Sequence, residues 1–435
     1  MRISPDETAG ITYAVEIDGL QYPVGAEEAG KIIRLKPATV LEYWQGVYLS
    51  QGMYDYYNRK GYRYKMRQEL DEECLDYLDK LNEIAYKDAY IQDYVQAIFA
   101  KVNPGEIDTN RPERLNVRII QSPEPDAYML PNGAMLVSTG LLCTIDSEEE
   151  LEAIIANEMV HFILDHQVDN VSRAETRAKR AAFWADVLGT VAMAADDTNW
   201  MYGYDERVGA IELAASIGTI AALINVRTVN RLGMDYSSKQ ELQADRIARD
   251  YLAFKGMNPN ALSSAINKIK EFYGSVHRYD NLTRYGSYGL LKERLAKLGE
   301  TEGIHSHMFE KMTSDIVTFN AAMYQGDKRY KMAEQLAQKN IDNRVASDCL
   351  LYTSDAADDR VASDHDYVIL VKARMAQENT PESNEACMKL LEKAREIATA
   401  RNLDINKQEI LLLMRMNKQA KAADKLKEYL DLLAE

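Results

Sequence analysis

The chain is predicted to be an α+β protein, mostly helical, with a small sheet in its first part and an all-α tail. Three observations carry this. The stretch around Leu115–Gln121 reads as strands. Around them lie longer stretches with helical periodicity and capping residues. After Arg294 the periodicity is helical throughout, in paired segments separated by short Gly-Asp and Asn-Lys turns.

Residues 1–36 read as an irregular lead with short strands at Ile11–Ile17 and Ile32–Leu35. Pro37-Ala38-Thr39 then opens a helix to about Tyr57, and two more are expected near 69–85 and 88–102. After the strands, Ser147 and a Glu-rich first turn start a helix carrying Ile155 to His166, because a serine cap and early carboxylates both satisfy a helix N-terminus. The most apolar stretch, Val208–Val226, holds Glu212 and is under twenty residues, so it reads as a buried helix rather than a membrane span. A polar helix begins near Ser237. The tail is expected as helices Met308–Gln325, Lys328–Asn340, Asp366–Glu378, Glu382–Thr399, Lys407–Met416 and Ala420–Leu433. The expected divisions are 1–36, 37–300 and 301–435.

Composition narrows the function classes. The 435 residues are 46% hydrophobic, with net charge −16 and pI near 5.0, enough chain for two or three domains with an ample core. So acidic a chain, lacking a Lys/Arg cluster, repels phosphate backbones and anionic lipid, which leaves peptides and proteins as partners. Cys74, Cys143, Cys349 and Cys387 include no close pair, which argues against a disulfide framework or a cysteine-zinc site. No apolar run follows Met1-Arg2-Ile3-Ser4-Pro5, so the sequence as written places the protein in the cytoplasm, or in the periplasm if an export signal has been lost.

The chemistry centres on Asn157-Glu158-Met159-Val160-His161, one letter from the zinc motif H-E-x-x-H. Positions 157 and 161 share a helix face and can grip one ion, while Glu158 reaches a water beside it. Glu241-Leu242-Gln243-Ala244-Asp245 offers a further ligand in Glu241, with Asp245 one turn on as a residue able to orient the His161 ring. Asn157 is a neutral, hard and poor zinc ligand.

Upstream, Asp126-Ala127-Tyr128-Met129-Leu130-Pro131-Asn132-Gly133 leads into an apolar run and Gly140-Leu141-Leu142. With N-E-x-x-H and E-x-x-A-D, these blocks resemble the CAAX prenyl protease and HtpX-like family of gluzincin zinc metallopeptidases over roughly residues 65–300. The resemblance implies a bacterial zinc endopeptidase binding one ion, with Glu158 as general base, His161, Glu241 and Asn157 in the ligand positions, and Asp245 behind them. It also implies that Gly133–Ser138, with Gly133, Ala134, Met135 and Leu136, is an edge strand on which an extended peptide adds itself. His166 matches a second histidine that some members carry; at ~100° per residue it should be turned away from His161, a supporting residue rather than a ligand. Ser287-Tyr288-Gly289 stands where the family has a His-Pro pair before an arginine, and Tyr288 is the candidate to donate to a developing oxyanion.

The tail resembles tetratricopeptide repeats, whose stacked helix pairs offer a surface to a protein partner. Within it Arg344-Val345-Ala346-Ser347-Asp348 recurs as Arg360-Val361-Ala362-Ser363-Asp364, flanking a string that reads as translated adapter sequence. Residues 349–364 therefore read as an assembly artefact. Three function classes follow: a zinc endopeptidase acting on peptides or unfolded proteins, an inactive pseudopeptidase serving as a peptide-binding or chaperone-like module, and a helical scaffold for which the motifs are coincidence.

Overall fold

The computed structural model of the chain describes residues 3–6, 12–17, 20–24, 37–51, 62–105, 115–174, 232–275, 288–299, 301–348, 363–398 and 400–434. Contacts divide the chain into two units, residues 1–66 with 103–113 and residues 67–102 with 114–435. The expected strand Ile32–Leu35, the apolar stretch Val208–Val226, the last residues of the helix expected to reach Tyr57 and most of 349–364 lie outside the described residues.

In the first unit, β1 (Ile3–Asp6), β2 (Thr12–Ile17) and β3 (Leu20–Val24) form an antiparallel meander. Helix α1 (Val40–Ser50) follows the predicted Pro-Ala-Thr start, where the Thr39 hydroxyl accepts from the Glu42 amide and the Glu42 carboxylate accepts from that of Ala38.

The second unit is reached through α2 (Tyr62–Leu81) and α3 (Ala89–Val102). Its sheet has three strands, β4 (Asn116–Ile120), β5 (Ala127–Met129) and β6 (Ala134–Ser138), in the order β4-β6-β5. The turn between β5 and β6 is written in Pro131-Asn132-Gly133. The Gly133 amide donates to Leu130 O, and Gly133 itself adopts φ +86°, the left-handed conformation that closes such a hairpin.

This topology corrects one expectation. The run Gly133–Ser138 does not supply an edge: β6 is the central strand, parallel to β4 and antiparallel to β5. Its apolar character at nearly every position is that of a strand covered on both faces. Among the described residues the edges are β4 and β5.

Helix α4 (Thr139–Thr144) is capped by Ser138 and pressed so closely on the preceding loop that a Cβ at Gly140 would lie 2.3 Å from Pro123 O. Helix α5 (Glu148–Ile163) starts at the predicted Ser147 cap and is buried over most of its length. It packs against α3, β5, α7 (Ser238–Phe254) and α8 (Ala261–Ser275). Between α5 and α7 in sequence lies α6 (His166–Ala174), and α9 (Tyr288–Leu298) follows α8. Serine 237 heads α7 with a reciprocal capping box to Gln240, hence the sharp start predicted there.

The C-terminal region is helical throughout its described residues: α10 (His307–Gly326), α11 (Tyr330–Asp348), α12 (Asp364–Gln377), α13 (Pro381–Ile397), α14 (Leu403–Arg415) and α15 (Gln419–Ala434). Each packs on the next, and α10 also lies on α4. Among the described residues no helix is long and apolar enough to cross a membrane.

A buried polar knot ties three of these helices. The Asp366 carboxylate accepts from Thr318 Oγ1 (2.8 Å), Asn340 Nδ2 (3.1 Å) and the Ser363 amide (2.8 Å). Burial pushes the Asp366 carboxyl up to about 6, against these donors. A folded-state pKa above the unfolded one means that its contribution is full below pH ~4 and is lost as pH rises through about 6. Asp366→Asn is therefore expected to remove a stability decline of roughly 3 kcal/mol across that window. Urea midpoints measured against pH check this, and parallel curves for the two proteins would contradict it.

Candidate metal centre

Helices α5 and α7 pack side by side and bring the two motifs together in a fully buried site. His161 Nε2 lies 3.7 Å from Glu241 Oε2. That nitrogen has no hydrogen-bond partner although it is buried. Two donors held tetrahedrally at ~2.0–2.2 Å from one zinc ion stand about 3.4 Å apart, so this pair suits a shared cation. Asn157, one turn before His161, donates from Nδ2 to Asp245 Oδ1 at 2.9 Å. A carboxylate can only accept, so the amide orientation is fixed and its oxygen is the atom left for a ligand role. The donor set thus fits zinc with two good ligands and one poor one.

Asp245 therefore orients position 157, and the expectation that it orients the His161 ring is not met. The reason is the helix pairing, which sets Asp245 opposite Asn157 while Glu241, one turn earlier on α7, faces His161.

Arg294, on α9, is 1% exposed and holds both carboxylates. Its Nη1 is 2.9 Å from Glu241 Oε2, and Nε and Nη2 donate to Asp245 at 2.9 and 2.6 Å. Burial raises both the Glu241 and Asp245 carboxyls, and Arg294 opposes that rise. Truncating this cation leaves two buried carboxylates to share what it compensated. Arg294→Met is expected to destabilise the protein by ~3–5 kcal/mol. A urea unfolding midpoint within error of the parent's would contradict that role.

The other side of His161 is built by a helix break. Helix α5 ends at Leu164, and Asp165 takes φ +56°, so α6 restarts at His166 in a new direction. His166 Nδ1 consequently stands 3.1 Å from His161 Nδ1, not turned away as continuous helix geometry predicts. Asp165 is buried and ion-paired with Arg67 from α2, which holds the unusual backbone in place. Burial first, and then His161, lower the His166 pKa to about 3, and burial with Arg294 holds His161 well below its ordinary value. Both shifts favour the uncharged ring. An Nδ1–H of His161 donating to His166 leaves the His161 Nε2 lone pair facing Glu241. Tyr236 stacks on the His161 ring at 3.6 Å.

Glu158 is 1% exposed and its Oε2 accepts from the Met129 amide of β5 at 3.1 Å. Met129 O in turn accepts from Gln167 Nε2 at 3.1 Å. The expected substrate residues Gly133, Ala134, Met135 and Leu136 lie in the turn and the central strand, one strand inward from this contact. Tyr288 opens α9, and its side chain lies outside the described residues.

Sequence reasoning missed Arg294, Tyr236 and Gln167 as members of the site. Arg294 carried a signal in its position after the Ser-Tyr-Gly segment, whereas no spacing marks Tyr236 or Gln167. Among the described residues another donor group gathers at Asp146, His305 and Glu310, within 4.8 Å of one another. Burial raises the Asp146 carboxyl, but Lys339 at 2.6 Å and Lys268 at 2.7 Å bring it below its ordinary value. With two lysines already on Asp146, this group reads as an ion-pair knot at the base of α5.

The family model described as Peptidase family M48 matches residues 87–334, more than half of the chain. The chain is similar to the mitochondrial Metalloendopeptidase OMA1 of Bos taurus, 27% identical over 187 residues, which covers 42% of this chain and 32% of that protein. It is 26% identical over 160 residues to Metalloprotease LoiP of Escherichia coli, covering 36% and 51%. The Beta-barrel assembly-enhancing protease of Escherichia coli is 24% identical over 154 residues, covering 35% and 27%. The matches thus span about a quarter to a half of these relatives' own length.

Proposed function

The chain belongs to peptidase family M48, and on that premise we propose that it hydrolyses peptide bonds with a zinc site kept at His161 and Glu241 and weakened at Asn157. The observation that carries this reading is the buried His161 Nε2, without a hydrogen-bond partner and 3.7 Å from Glu241 Oε2. His161, Glu241 and the Asn157 amide oxygen would hold the ion. A bound zinc ion supplies positive charge that acidifies water and polarises a carbonyl. Glu158, one residue after Asn157 on α5, takes a proton from the attacking water and returns it to the leaving amine as the C–N bond breaks.

The strand offered to an extended peptide is β5 rather than β6. Leu130 donates to Ala134 O and Asp126 O accepts from Ser138, so the even-numbered backbone groups face β6. The N–H and C=O of Met129 then point to the outer edge, beside Glu158. Backbone pairing there suits unfolded protein with little regard to sequence. The test is cleavage of unfolded casein at saturating zinc, abolished by chelation and restored on zinc return; cleavage that survives chelation would contradict it.

A second reading is favoured by one observation, the compensation of Glu241 and Asp245 by Arg294. A site whose carboxylates are satisfied by an internal cation can stay folded without metal, which suits peptide binding without turnover.

A further inference from the structure

Immediately after the α5–α6 break, Gln167 is 2% exposed and does something the metal centre does not require. Its Nε2 donates to Met129 O at 3.1 Å, while Glu158 Oε2 takes the Met129 N–H at 3.1 Å. These are the two outward backbone groups at the end of β5, the pair an added strand would use. Both are occupied by side chains.

We infer that Gln167 is a latch on the peptide strand: its carboxamide fills the hydrogen-bond position on β5 that the backbone N–H of a bound peptide would take, so that binding requires its displacement. The proposal rests on β5 being the peptide strand. A glutamine amide has the same donor chemistry as a backbone amide, which makes it a fitting stand-in.

The surroundings restrict motion to the side chain. A Cβ at Gly233, where φ is +73°, would lie 2.3 Å from Gln167 O, so the Gln167 backbone is seated directly against Gly233. Asn170 Nδ2 also holds Gly233 O at 3.0 Å.

Gln167→Met keeps length and bulk and removes the donor. Affinity for fluorescein-labelled unfolded casein, read by anisotropy on the full chain, is expected to tighten about 2–10-fold, the value of one hydrogen bond no longer broken. A purely supporting role for Gln167 predicts the opposite sign, because loosening β5 weakens binding. Gln167→Leu removes the donor at similar bulk, and supplies the same readout should the methionine variant fail to fold. Equal or weaker binding by the variants overturns the latch alone. Absence of casein binding by parent and variants alike overturns the reading of β5 as a peptide strand, and the latch with it.

Discussion

Replacing Asn157 by histidine is expected to tighten zinc binding by more than about 100-fold. Loss of a partner behind a ligand costs ~10–100-fold in metal affinity, and replacing a ligand itself should cost more. The substitution is conservative in one respect. Asn157 Nδ2 already donates to Asp245 at 2.9 Å, and one ring N–H of a histidine can make that same bond while the other nitrogen faces the ion. What changes is the donor, from a neutral amide oxygen to an imidazole nitrogen that zinc prefers. Competition against a chromophoric chelator measures the difference. A second readout is stability, since at fixed free zinc a site filled to 100 times its Kd adds ~2.7 kcal/mol. Equal zinc affinity in parent and variant would show that position 157 is not a ligand.

Glu158→Gln is expected to lower casein cleavage by roughly 10²–10⁴-fold at saturating zinc. Glutamine retains an oxygen able to accept the Met129 N–H that Glu158 Oε2 accepts at 3.1 Å, so the strand contact survives. It cannot carry a proton from water to the amine. Because Glu158 is not among the ligand positions, zinc content should be unchanged. Retained cleavage would remove Glu158 from the role of base; lost zinc would mean that it helps hold the ion.

Much of the fold was legible because its signals are local. Ser147 with its following glutamates and the helix start near Ser237 each act within a few residues, and each marks an element boundary in the structure. Periodicity likewise located the helices of the C-terminal region to within a few residues at most ends. Strand order is not local. An apolar run reads the same at an edge or at the centre, and only the β4-β6-β5 pairing settles that Ala134–Ser138 is internal.

The site divided along the same line. Asn157, Glu158 and His161 share a helix face by arithmetic, and Glu241 with Asp245 do so on α7. Which residue of one helix meets which of the other depends on how α5 and α7 lie together, and periodicity alone does not set Asp245 opposite Asn157. The direction of His166 differs from expectation because the 100° rule assumes an unbroken helix, and the left-handed Asp165 with its Arg67 partner breaks it. Arg294 lies 49 residues from Asp245, beyond any periodic pattern.

Zinc content of the purified chain beside its Asn157→His variant, by elemental analysis after equal dialysis, with casein cleavage assayed in parallel, tests the central claim most directly. The account predicts stoichiometric zinc and cleavage in the histidine variant, with the parent losing zinc on dialysis and cleaving only when zinc is returned in excess. A histidine variant that binds no zinc would contradict it, because His161 and Glu241 would then not be the remainder of a metal site.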